Sequence, residues 1–186
     1  MLALKSKMLQ LFFAAANVAT SAHMLVIPPL WRIRLSCFFQ HAVTLLSVLL
    51  ALDYKVPFFT GMMACGTFGI GMLFTGLLVA YAGLKKDKNP VSRLPLTPIR
   101  IIRNVWSHYG SCAVLWWMVT QEELKITYNH QFAANAMGLC WLLIFGGRAK
   151  EIYDVPHDVD LIKDRVLPIM VGSMVLFNIV LWYIRG

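Results

Sequence analysis

The sequence predicts an all-α protein, a polytopic transmembrane bundle of about six membrane helices, and three observations predict it. Of 186 residues, 59% are hydrophobic and 14% charged, against roughly 45–50% and about 25% in a soluble domain. The charges are clumped, leaving six windows free of Asp, Glu, Lys and Arg at residues 8–30, 35–52, 56–84, 104–121, 126–147 and 166–184. Each is near or above the ~20 helical residues that cross a ~30 Å hydrocarbon core. The connections between windows are too short for a soluble catalytic or binding domain, so function must sit within the membrane or at its surface.

The first window follows Lys5 and Lys7, as in a signal peptide, but its apolar run continues past Ala16 and Ala22 to Pro28 and Pro29. It therefore reads as a retained first span. Asn17, Thr20, Ser21 and His23 make its second half a poor lipid-facing surface, which should face other helices. Trp31, Arg32 and Arg34 follow as an interfacial anchor. The turn Asp53-Tyr54-Lys55 is so short that the second and third windows must form an antiparallel hairpin. The third window is longer than the hydrocarbon is thick, which calls for tilt or projection. It carries a small-residue stripe, Gly61, Cys65 and Gly69 at i+4 spacing, continued by Thr67, Gly71, Thr75, Gly76 and Ala80, and such stripes let helix backbones approach closely. Residues 85–103 form a long connection rich in Lys, Arg and Pro (Pro90, Pro95, Pro98), and 148–165 form a loop of mixed charge.

Charge placement sets the orientation. With six spans, Arg32, Arg34, Lys85, Lys86, Lys88, Arg93, Arg100, Arg103, Arg148, Lys150, Lys163 and Arg165 fall on one face and Lys5, Lys7, Lys55, Lys125 and Arg185 on the other, twelve against five. The positive-inside rule then puts both termini on the outer side, periplasm or intermembrane space. The net charge of +8 follows from this asymmetry and favours anionic phospholipid, with Arg32, Arg34, Lys85, Lys86, Arg100 and Arg103 as headgroup contacts. Nucleic-acid binding is not expected, because the basic residues flank spans rather than forming one stripe.

Little in the windows has the spacing of a reactive centre. Cys37, Cys65, Cys112 and Cys140 fall singly in four windows, so neither a zinc site nor a disulfide framework is indicated and they read as small core residues. No window holds a carboxylate, which argues against a proton or cation relay. His23, His41, His108 and His130 lie in or near the windows. Two imidazoles facing each other could hold haem iron axially. His41 and His23 sit at matched depth, about 10 Å from the inner face at ~1.5 Å per residue, but helix rotation is undetermined, and the preferred reading is a neutral structural histidine, with Gln40, Thr44 and Ser47 as hydrogen-bond partners for His41. No metal and no cofactor is expected.

Two resemblances extend this reading. The stretch from His41-Ala42 to Asp53-Tyr54-Lys55 and Pro57 resembles the second helix of the small membrane anchor of succinate dehydrogenase. There a histidine ligates haem b and an Asp-Tyr pair lies near the quinone pocket. The likeness implies His41 as a ligand, although the separation is about one residue longer here. A broader likeness covers residues 11–117: Ala22-His23, Gln40-His41-Ala42 with Leu45-Leu46, Leu73-Phe74-Thr75-Gly76 and Thr97-Pro98-Ile99 follow the order found in the YgdD-like family of small four-helix membrane proteins. The Gly-Gly that commonly follows the Thr-Pro of that family is replaced by Arg100 to Arg103. On this resemblance residues 1–121 form a four-helix YgdD-like region and 122–186 an additional C-terminal helical hairpin.

The functional expectation is a non-catalytic structural or accessory subunit of a membrane complex, in the mitochondrial inner membrane and its respiratory chain or ATP synthase, with other membrane subunits and anionic phospholipid as partners. The alternative is a haem- or quinone-associated anchor subunit using His41 with His23 or His108. A small transporter or lipid-handling protein is a third reading, with slight support from Asn17, Asn135 and Asn178.

Overall fold

Apolar runs bounded by charge become rods. The computed structural model describes residues 2–26, 34–82, 97–148 and 167–185, and all regular elements among them are helical. They are α1 (Leu2–Met24), α2 (Leu35–Ala51), α3 (Pro57–Tyr81), α4 (Pro98–Val105), a π turn (Trp106–Gly110), α5 (Ser111–Gln121), α6 (Tyr128–Phe145) closed by a short tighter turn, and α7 (Leu167–Arg185). The backbone stays helical through α4, the π turn and α5, so the described residues form six rods.

Successive rods reverse direction. Lys7 at the start of α1 donates to the Ala51 carbonyl and pairs with Asp53 at the end of α2. Along α3, Gly61 lies against His130 of α6, Gly69 against Phe177 of α7, Gly71 against His108 of the π turn, and Gly76 against Ser173 of α7. Helix α3 thus packs against α2, α5, α6 and α7, while α1 lies mainly on α2 with a smaller contact to α5. The two C-terminal rods each dock on α3 and touch one another through the amide of Gln131, which donates to Asn178. The sequence accounts for the central place of α3: its residues from Thr60 to Gly71 are buried almost all round, which needs glycine and alanine wherever a neighbour crosses close.

Two turns at one end are built alike. The chain turns left-handed at Asp53 (φ 64°) and at Glu123 (φ 51°). Tyr54 then donates back to the Leu49 carbonyl, and Leu124 to that of Val119, the six-to-one bond that closes a helix by the Schellman arrangement. Each stop satisfies an end carbonyl and starts the next rod within a few residues.

The expectation of six spans is met in its coarser part. The protein is all-α, and among the described residues two helices, Pro57–Tyr81 and Leu167–Ile184, are long and apolar enough to cross a membrane, with mean hydropathy 1.8 and 2.0. Leu35–Ala51 is apolar but shorter. Helix α1 reaches back over Lys5 and Lys7 and ends at Met24, before the prolines that the first window extends to. Expectations for Pro28, Pro29, Trp31, Arg32, Lys85, Lys86, Pro90, Pro95 and residues 149–166 lie outside the described residues.

The exterior is far more apolar than that of a water-soluble domain, and several polar side chains share the apolar core. Asn17, Ser47 and Ser111 are 0% exposed, while Leu143 and Phe132 are 75% exposed and Ile144 70%. On α1 the inward face is Phe13, Asn17, Thr20 and Met24, a helical 4-3-4 spacing that buries two polar side chains beside two apolar ones.

The glycines along α3 differ in what they tolerate. A Cβ at Gly71 would lie 2.9 Å from the His108 carbonyl oxygen, a backbone atom, whereas one at Gly138 of α6 would meet nothing within 4 Å. Gly71→Ala should therefore destabilise the detergent-solubilised protein by about 1–3 kcal/mol. Gly138→Ala should be neutral or stabilise by up to about 1 kcal/mol, since it fixes a helix interior. Thermal unfolding followed by size-exclusion chromatography distinguishes them, and equal melting temperatures would refute the close crossing at Gly71.

Candidate functional site

The middle of the bundle holds a polar knot. The Asn17 side-chain oxygen accepts from Gln40 Nε2 at 2.7 Å, Ser111 Oγ at 3.0 Å and Trp106 Nε1 at 3.1 Å, while its amide donates to the Phe13 carbonyl at 2.8 Å. One carboxamide thus joins α1, α2 and the π turn–α5 rod. Beside it, Thr44 Oγ1 donates to the Gln40 carbonyl at 2.8 Å and lies 2.7 Å from Ser21 Oγ, which is 3.2 Å from His41 Nδ1. A consistent donor chain runs from His41 to Ser21 to Thr44 to that carbonyl. The buried Gln40 Oε1 has no partner.

The π turn builds a second group. Widening the helix by one residue displaces its ladder, so that the Ser111 amide bonds the Trp106 carbonyl, and such turns often reorient side chains at functional positions. Trp106 is aimed at Asn17, and the Tyr109 hydroxyl reaches Thr75 Oγ1 at 2.9 Å. The His108 ring stacks on Phe74 with centroids 3.8 Å apart. Its Nδ1 lies 2.8 Å from the Asn104 carbonyl oxygen, an acceptor only, so Nδ1 carries the proton and Nε2 keeps a lone pair. His108, Tyr109, Thr75 and Cys112 line a cleft of about 370 Å³ floored by Gly71 and walled by Phe68, Met72 and Trp116.

The histidines are distributed rather than gathered. Ser21 faces α2, and His23, two residues further, lies about 200° around α1, on the side away from His41. His41 itself is exposed on the bundle surface. His130 caps α6, where Thr127 and His130 bond reciprocally, and its ring lies on Phe58. His108 lies on Phe74, about 24 Å along α3 from Phe58 at ~1.5 Å per residue. The four thus occupy four places, and the described residues contain no group of three His, Cys, Asp or Glu able to hold a metal. Cys37 and Cys65 are buried, Cys112 is half-buried and Cys140 is exposed, so the expectation of four core cysteines fails at Cys140, whose face of α6 has no neighbouring rod.

Gly61, Cys65, Gly69, Gly71 and Gly76 all lie at helix crossings of α3. Gly66, absent from the sequence expectation, packs against the Phe39 ring; its i+3 offset from the stripe was the available signal. Arg34, Arg100 and Arg103 lie together at one end. Asn17 was legible only as a polar residue inside an apolar window, and its three donors come from residues far apart in sequence.

Asn17→Ala would strand three donors at once. At the ~0.6–1.7 kcal/mol typical of an interhelical hydrogen bond in a membrane protein, the loss should be about 2–5 kcal/mol, against much less for Thr20→Ala, whose hydroxyl bonds only its own helix at Ala16. Comparing the two melting temperatures in detergent tests the knot, and similar small losses would refute it. No protein-family model, curated protein or solved structure matches the chain.

Proposed function

We propose that the chain is a polytopic membrane protein of six spans whose role is structural, a non-catalytic subunit that contributes helices to a larger membrane complex. The observation that carries the reading is the exterior: large apolar side chains cover the outside of every rod, while hydroxyls and carboxamides share the interior with an apolar core. In water that surface far exceeds the few hundred Å² of contiguous apolar patch a monomer tolerates. In a bilayer it is the expected surface, and the buried polar groups are the adhesive between helices. The polar side chains of the knot bond mainly to one another and to backbone, which suits a scaffold. Helix α7 keeps an open apolar groove of about 590 Å³ with Met170, Met174, Asn178 and Trp182 on its walls, room for a neighbouring subunit.

The YgdD-like resemblance, extended by two rods, supports an energy-transducing membrane, and we infer the mitochondrial inner membrane with both termini in the intermembrane space. The ends of the bundle carry charge in the sense this requires. Arg34, Arg100, Arg103 and Arg148 fall at one end with no carboxylate among the described residues there, and Lys7, Asp53, Lys55, Glu122, Glu123 and Lys125 at the other. A Lys125→Cys variant should be labelled from the intermembrane-space side and an Arg148→Cys variant should not; the reverse pattern would overturn the orientation.

Native electrophoresis after mild detergent extraction tests the subunit role. Migration in a band far above 21 kDa, with other chains, is expected, and a lone monomer would count against it. A redox-associated anchor is the second reading, favoured by the His108 lone pair at the π-turn cleft. An optical spectrum of the purified complex separates the two, since a Soret band lost in His108→Gln would support the anchor, and an unchanged spectrum the scaffold.

A further inference from the structure

Helix α4 faces the wrong way for a protein in water. Ile99, Ile102 and Val105 are 59%, 68% and 53% exposed, while Arg100 and Arg103 are half-buried and Ser107, on the same face one turn on, is buried. The arginines turn toward the bundle and the isoleucines away from it. Arg103 Nη2 donates to Asn104 Oδ1 at 3.1 Å, but its Nη1 is buried and has no partner. Arg34 precedes α2, which packs against the π turn that α4 runs into, so Arg34, Arg100 and Arg103 fall at one end of the bundle. No described carboxylate lies at this end of the bundle. An unpaired guanidinium nitrogen taken out of water is costly unless an anion meets it, and like charges held together raise that cost.

We propose that Arg103, flanked by Arg100 and Arg34, binds the phosphate of an anionic phospholipid, with the apolar face of α4 lying in the adjoining acyl region. Guanidinium groups bind phosphate oxygens through paired charge-assisted hydrogen bonds, and Nη1, covered and without a partner in the protein, reaches the phosphate by rotation of the long Arg103 side chain toward the headgroups. The outward isoleucines favour a lipid over free phosphate, because they place the arginines at the depth where headgroups meet chains. This assignment rests on the membrane reading above and names one ligand class for it.

The test uses the full chain purified in detergent, with added phosphatidylglycerol, phosphatidylcholine or inorganic phosphate, read by thermal shift and by native mass spectrometry of retained lipid. Phosphatidylglycerol should raise the melting temperature and remain bound while phosphatidylcholine does not, and Arg103→Gln should weaken retention by about tenfold or more, the value of one charge-assisted hydrogen bond. Arg148→Gln, which removes the same charge at the same end, should leave retention unchanged. Equal retention in the wild type and Arg103→Gln, or equal loss in both variants, would overturn the site. If Arg103→Gln does not fold, the wild type decides: preference for the anionic over the zwitterionic lipid supports the site, and no preference refutes it. Stabilisation by inorganic phosphate equal to that by the lipid would assign the site to a soluble anion and overturn the lipid assignment. Failure of the membrane reading is seen separately, as release of the native protein from membranes by alkaline carbonate.

Discussion

The rest of the bundle depends on a carboxamide oxygen with three donors. In a medium without water, helices gain nothing from apolar contact that lipid would not also give, so their association rests on close packing and on polar groups whose alternative is to be unpaired. Asn17 concentrates the polar part of that association. Its Oδ1 holds α2 through Gln40 and the π turn–α5 rod through Trp106 and Ser111, so α1, which has little contact with the central helix, is still fixed relative to it. The π turn belongs to the same constraint, since Trp106 and Ser111, five residues apart, both reach Asn17. In a regular helix five residues advance about 500°, some 140° away from the same face, and widening the turn brings them back.

Helix α3 supplies the packing part. Its glycines meet different kinds of neighbour: an imidazole at Gly61, phenyl rings at Gly66 and Gly69, a backbone carbonyl at Gly71 and a hydroxyl at Gly76. The carbonyl at Gly71 is the least able to move, and it belongs to His108 inside the π turn, so the position of the widened helix and the absence of a side chain on α3 specify one another. The cleft between them opens beside this crossing, where two backbones come close and the side chains on either side cannot also meet.

Much of this was legible in the sequence, for physical reasons. Hydrogen-bonded rods cannot expose charge to lipid, so charge-free runs delimit them, and helix α3 nearly coincides with its window. The small-residue stripe was legible because i+4 spacing depends on the helix alone. The rotation of a helix about its axis was not. The expected pairing of His23 with His41 depended on that rotation, and Ser21, not His23, is the residue that meets α2. Nor was the π turn legible, since it lies in Trp106–Gly110 without proline or any other local mark and comes from tertiary bonds to Asn17 and Thr75. The window boundary at Asn104 also concealed α4, because a search for charge-free runs stops at Arg103, where the inverted face begins.

That inverted face ties the two ends of the argument together. An amphipathic helix lays its apolar side toward whichever neighbour is less polar, and in water that neighbour is the protein core. In α4 the isoleucines point outward and the arginines inward, the arrangement that suits the proposed lipid surroundings. A polar line runs through the otherwise apolar interior: the Arg100–Arg103–Ser107 face of α4 continues through the π turn to Ser111 and Asn17. From the arginine end to the middle of the bundle, polar groups form one line enclosed by apolar side chains. Its members differ in how fully they are satisfied, since the Asn17 oxygen accepts from three donors while Arg103 lacks a partner at Nη1 and Gln40 at Oε1. The Asn17 end holds the helices together, and the arginine end is where the proposed ligand would take up the bonding capacity left at Nη1.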